Sequence, residues 1–237
     1  MNFSLLFISL IAISIPGIWV MSIADQRLQN QMETEKTPMW LSIIVHSSLV
    51  LIFTAIGSAL IVRVTEGEIF LLKEWKQAVV VGIGCSVIHI IVYYGIFKRI
   101  IHSETFFKIE RFRNSVGISA RLLYASIIEE IIFRFGIMTL MIWVFQFFVN
   151  DQEIIVWTAI VISSLLFTLA HFIGISEFGK SKTAVYSYAI VGNMWVGVLC
   201  GWQYWTNGIF AAIIVHMLFH LLLYPIEKYH LNKYVSG

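Results

Sequence analysis

The sequence predicts an all-α protein, a polytopic transmembrane helical bundle of about seven membrane helices, within a range of six to eight. Composition is the first reason: 59% of the 237 residues are hydrophobic and only 13% are charged, with a mean hydropathy of +0.84. A soluble domain carries about twice that share of charge. The second reason is that apolar runs of about 20 residues recur along the whole length, each sufficient to cross roughly 30 Å of hydrocarbon as a helix. A helix is also the open-chain structure that satisfies its own backbone polar groups in lipid.

The expected spans are 3–23, 39–62, 78–97, 118–149, 154–173, 184–202 and 207–226. The first is a membrane helix rather than a secretory signal. No Lys or Arg precedes it, and Pro16-Gly17 is followed by Ile18 and Trp19 instead of a small-residue cleavage site. The third and sixth contain Cys85 and Cys200, which match no metal or redox spacing and read as small buried hydrophobes. The fourth is too long for one simple crossing, so that either Gly136 breaks it or it tilts strongly. With no internal repeat and no long linker, residues 1–237 read as a single integral membrane domain.

Basic residues flanking the spans set the orientation. Arg27, Lys36, Lys98, Arg99, Lys108, Arg111, Arg113, Arg121, Lys180, Lys182, Lys228 and Lys233 fall on one side, against Arg63, Lys73 and Lys76 on the other. Seven crossings then place the N-terminus outside and the C-terminus in the cytoplasm. The formal charge of +2 gives no reason to expect a nucleic-acid partner. The stretch from Lys98 to Arg113 reads either as an amphipathic segment lying on anionic lipid or as a solvated loop.

Ionisable groups inside apolar spans cost several kcal/mol and normally mark paired or functional sites. Glu129, Glu130 and Arg134 are such a group, in SIIEEIIFRFG. Glu130 and Arg134 are i and i+4 and able to pair. Glu129 points about 100° away, and four residues on it meets Phe133 instead of a cation. A packing Glu–Arg pair explains two of the three residues. Glu129 is left as a candidate general base. In the fifth span, FTLAH places Phe167 and His171 at i and i+4. In the last, HMLFH places His216 and His220 on one face within the apolar stretch Ile209 to Leu223. His46 and His89 lack companions at helical spacing and read as hydrogen-bonded packing residues. Asn193, Trp195 and Asn207 are further cavity-lining candidates.

These three motifs in order, Glu129-Glu130-x3-Arg134, Phe167-x3-His171 and His216-x3-His220, resemble those of the CPBP intramembrane proteases. That family comprises type II CAAX prenyl endopeptidases and bacteriocin-processing or self-immunity proteins. The resemblance covers roughly 118–224, the expected catalytic core, and departs from the family pattern at His220, where asparagine is commonest. It implies an endopeptidase in a bacterial cell membrane that cleaves near the cytoplasmic face with a glutamate-activated water. Glu129 would be the base, His171 would hold the water, and His216 and His220 would stabilise the oxyanion. Glu130, Arg134 and Phe167 would support them. The implied partners are membrane lipids and a hydrophobic or lipidated, CAAX-like peptide substrate.

No cofactor is favoured. The alternative is zinc or another divalent metal held by Glu129, Glu130, His171, His216 and His220, although Met217 stands where a zinc-protease helix needs its glutamate. Outside this enzyme class the rivals are an inactive membrane scaffold, regulator or immunity protein, and a proton-coupled transporter.

Overall fold

A computed structural model of the protein describes residues 3–32, 37–65, 72–172 and 182–236. Of these, 91% are helical and none lies in a strand. Eight helices follow one another: α1 (Phe3–Met32), α2 (Met39–Val64), α3 (Trp75–Ile100), α4 (Ser103–Val116), α5 (118–145), α6 (Gln152–Ala170), α7 (Lys182–Asn207) and α8 (Ile209–Ser236). Six of them, α1, α2, α3, α6, α7 and α8, are long and apolar enough to cross a membrane. The protein is a multi-pass integral membrane protein.

The long helix α5 runs among α1, α2, α6, α7 and α8. It carries Arg121, Glu129, Glu130 and Arg134, so its hydropathy alone would not mark it as a span. Gly136 does not break it. The helix continues to Phe145, and its irregularity is of another kind: wide π-helical turns occupy Arg121–Glu129 and Ile131–Met138. Ser126 Oγ donates to the Arg121 carbonyl at 3.0 Å, five residues back, as a widened turn allows. Gly136 instead serves contact between helices. A Cβ there would stand 2.6 Å from Phe53 Cβ, while one at Gly57 would meet Phe135 at 2.4 Å. Each helix therefore offers the other a phenylalanine and a glycine to receive it, the small-residue packing that membrane helices use.

Helix ends follow local chemistry. The Asp151 side chain accepts from the backbone N–H groups of Glu153 and Ile154, capping α6. Gly117 and Gly208 hold φ of +79° and +94°, which makes the abrupt α4–α5 and α7–α8 turns possible. The expected ends shift by a few residues: α1 extends well past 23, and the fourth span stops four residues short of 149.

Most of the stretch from Lys98 to Arg113 is an amphipathic helix rather than a solvated loop. Residues 98–100 end α3, and Ser103–Val116 forms α4, whose buried face of Thr105, Phe106, Ile109 and Glu110 packs on α1 and α8. Its outer face carries an exposed Lys108–Glu104 pair. Basic residues from the richer group gather at this end of the bundle, where Lys98 reaches His230 at 3.1 Å and Arg113 and Arg121 meet Glu227. At the other end the Lys73 N–H donates to the Asn207 carbonyl. Lys36 and Lys180 lie outside the described residues.

Candidate active site

The three motifs come from α5, α6 and α8, and the packing of these helices brings their polar residues together. Glu130 and Arg134 are completely buried, with Arg134 Nε 3.3 Å from Glu130 Oε2. The other oxygen, Glu130 Oε1, accepts from His216 Nδ1 at 2.8 Å. Arg134 also donates through Nη2 to the Gly197 carbonyl of α7 at 3.1 Å. Its guanidinium lies 5.1 Å over the Phe167 ring, which approaches His171 and His216 at centroid distances of 4.5 and 5.9 Å. Phe167 is thus the apolar partition that the cation and both imidazoles share.

Glu129 is built differently. Its Oε2 is buried yet makes no hydrogen bond to the described protein. His171 Nε2 stands 4.0 Å from this oxygen. His171 caps α6, and its Nδ1 lies 2.8 Å from the Phe167 carbonyl. A carbonyl only accepts, so Nδ1 carries the proton and Nε2 faces Glu129 with a lone pair. The pair is too far apart for a direct bond, and both atoms are suited to hold a water between them. The His171 side chain is 35% exposed, so this corner of the site is open.

His220 lies one turn beyond His216, with the rings stacked at 4.9 Å. Its Nδ1 accepts from Arg121 Nε at 3.2 Å, and its Nε2 is buried with no partner among the described residues. Arg121 pairs through both terminal nitrogens with Glu227, which also takes Arg113 Nε at 2.9 Å. Glu110 receives the hydroxyls of Tyr93 and Tyr94 at 2.8 and 3.1 Å. In α4, outside the spans, burial pushes the Glu110 carboxyl above its ordinary value, and Arg113 opposes that shift.

Residues 112–222 match the family model described as type II CAAX prenyl endopeptidase Rce1-like. That segment is a CPBP-family domain. The match supports a CAAX-type intramembrane protease at the coarse level, and the matched segment contains all seven motif residues. No curated protein and no solved structure matches the chain.

Arg121 and Glu227 were missed as parts of this neighbourhood. Arg121 reads in the sequence as one more flanking cation. Glu227 follows His220 by seven residues, a spacing that returns to the same helix face and was a usable signal. His46 is a packing residue as expected, but it has companions on other helices: Nε2 contacts Asp25 at 3.0 Å and Nδ1 contacts Tyr124 at 2.7 Å. His89 bonds Tyr188 at 3.2 Å. Asn207 belongs to the far end, where it donates to Gln77 and Gln203. Cys200 is free and buried, and its sulfur lies in a group with ligand atoms of Glu130 and His216 spanning no more than 4.8 Å.

Between α3 and α7 lies an apolar cavity of about 340 Å³, lined by Ile88, Val92, Tyr188, Val191 and Trp195, with His89 in its wall. The His89 ring meets Phe219 at 4.7 Å, and Phe219 in turn packs on His220 at 5.2 Å. One aromatic ring separates the cavity wall from the histidines.

Proposed function

We propose that the protein is an endopeptidase that hydrolyses a peptide bond with a water activated by Glu129. The observation that carries this reading is the Glu129–His171 corner. A buried carboxylate oxygen without a protein partner faces an imidazole lone pair whose tautomer is fixed from behind by the Phe167 carbonyl. Water held there loses its proton to Glu129 as its oxygen bonds to the scissile carbonyl carbon, and the carbonyl π electrons move onto oxygen. Collapse breaks the C–N bond, and the leaving amine takes the proton from Glu129. His220, with a donor on Nε2, stands on the oxyanion side, and the adjacent His216, which donates its Nδ1 proton to Glu130 in a hydrogen bond, stacks on it and holds its ring. Glu130 orients His216, Arg134 balances Glu130, and Phe167 keeps the three elements in contact.

The donor set does not fit a bound dication. Both Glu130 oxygens are already engaged by Arg134 and His216. A metal-bound imidazole normally donates through its second nitrogen, whereas His220 accepts through it from a guanidinium. The Glu130–Cys200–His216 group would place a cation against the Glu130–Arg134 pair. The reaction in this reading is metal-independent.

The substrate is a hydrophobic or lipidated, CAAX-like peptide. The apolar cavity between α3 and α7, ending at His89 and Phe219, supports a route for an apolar chain from the lipid phase. Basic residues at the Arg121 end support an orientation with the N-terminus outside and the site opening to the cytoplasm.

The test is cleavage of fluorogenic CAAX-like peptides by purified protein in detergent or vesicles, with and without a strong chelator. Wild type cleaves in both conditions, and Glu129→Gln and His171→Ala, each checked for folding, do not. Loss of wild-type activity on chelation with recovery on zinc would replace this mechanism by a metal one. Undiminished cleavage by Glu129→Gln would remove the proposed base.

A further inference from the structure

We propose that Arg121, clamped by Glu227, is a positioning residue that locks His220 in the tautomer with its proton on Nε2, so that the imidazole is a fixed donor. The inference rests on the oxyanion role given above to His220. A guanidinium has donors and no acceptor, so a nitrogen that receives one must present a lone pair. Arg121 Nε points at His220 Nδ1 at 3.2 Å. The proton of the neutral ring is therefore on Nε2, the buried atom with no partner among the described residues.

Arg121 is itself held in place. Glu227 engages Nη1 and Nη2 together, leaving Nε as the edge turned toward His220. Arg113 Nε binds the same Glu227 from α4 at 2.9 Å, so the carboxylate is fixed from a third helix. The Tyr224 ring lies 5.9 Å from the Arg121 guanidinium carbon. On the other side His216 stacks on His220 with an interplanar angle of 28°, which restrains ring rotation. Tautomer and orientation are thus set by two separate contacts, and each leaves Nε2 as the available edge. This is the preorganisation an oxyanion donor requires, since no reorientation remains to be made during the reaction.

The chemistry supplies its own control. An asparagine amide carries N–H donors whatever lies behind it, so His220→Asn removes the need for a tautomer lock. On a peptide that wild type cleaves, Arg121→Met is expected to lower kcat by about 100-fold, the effect of losing one oxyanion donor, with KM changed by less than about twofold. In the His220→Asn background the same replacement is expected to lower kcat by less than about threefold, because the two residues act as one unit. Equal losses in both backgrounds would overturn the proposal, since a purely structural Arg121 gives that result. The tautomer is also read without turnover and without altering Arg121. In 15N-histidine-labelled protein, the signals that His220→Asn removes should report an unprotonated Nδ1 and a protonated Nε2. A protonated Nδ1 overturns the assignment. Glu129→Gln in the same kinetic assay reports separately on the proposed base, so failure of the peptidase reading and failure of the tautomer lock are distinguishable.

Discussion

Around Glu227 the buried charges close on one another, whereas around Glu129 they do not. Glu227 takes two guanidinium groups, and Glu110 takes two tyrosine hydroxyls. A few turns deeper on the same helices, Glu129 Oε2, Arg134 Nη1 and His220 Nε2 are buried without hydrogen-bond partners among the described residues, against Arg113 Nη1 in the Glu227 cluster. An unpaired buried polar atom costs about 1–3 kcal/mol, so a region that keeps several of them gives up stability. The closed cluster has the opposite economy: its charges are tolerable only because each has a partner. One region reads as a clamp and the other as a place prepared to receive reacting atoms.

The contrast can be broken by substitution. Glu129→Gln should lower the rate of peptide cleavage by about 10³-fold, within the usual range for a positioned general base. Its melting temperature should stay level or rise, since an unpaired carboxylate is removed. A large fall in thermal stability would show that Glu129 is a structural group like Glu227. Glu227→Ala is the converse case. It strands Arg113 and Arg121, and should destabilise the protein by about 3 kcal/mol, as for other broken buried pairs. A reversible unfolding measurement in mixed micelles that finds less than about 1 kcal/mol would refute the clamp. Gly136→Ala touches neither region but tests the packing that carries both. The new Cβ meets Phe53 Cβ, and a loss of about 1–3 kcal/mol is expected from overpacking.

The smallest effect concerns Glu110. Its folded carboxyl is raised above its ordinary value of 4.5, chiefly by burial. The folded state therefore holds the proton more tightly than the unfolded chain, and stability declines as pH rises from that ordinary value through the raised one. Glu110→Gln should flatten this part of the stability-against-pH curve. A decline of unchanged slope would assign it to another group.

Contacts along one helix were legible in the sequence from spacing, whereas contacts between helices were legible only where the family motifs joined them. The i, i+4 spacing of Glu130 and Arg134 anticipates their 3.3 Å pair, and the same rule sets Phe167 beside His171. Hydropathy fixes where six helices run because lipid tolerates few charges. The amphipathic alternative for Lys98 to Arg113 anticipates helix α4, but not that its inner face, which contains Glu110, packs on α1 and α8. Arg121 and Glu227 are 106 residues apart, and Asp25, His46 and Tyr124 come from three helices, so no local period joins them. Separation from a charged partner in sequence says nothing about separation in space.

The wide turns of α5 decide which of its residues can share a neighbour. Arg121 and Glu130 are nine residues apart, which in a regular α-helix of about 3.6 residues per turn is two and a half turns, placing them on opposite faces. Yet both meet α8, Arg121 at His220 and Glu130 at His216. The π-helical stretch Arg121–Glu129 admits more residues per turn and brings the two onto one side. Such a widening is what a one-residue insertion leaves in an α-helix. Deleting Ala125 would return the segment to α-helical phase and swing Arg121 away from α8 without changing any residue that touches substrate. In this helix, the reading frame of the turns is itself part of the site.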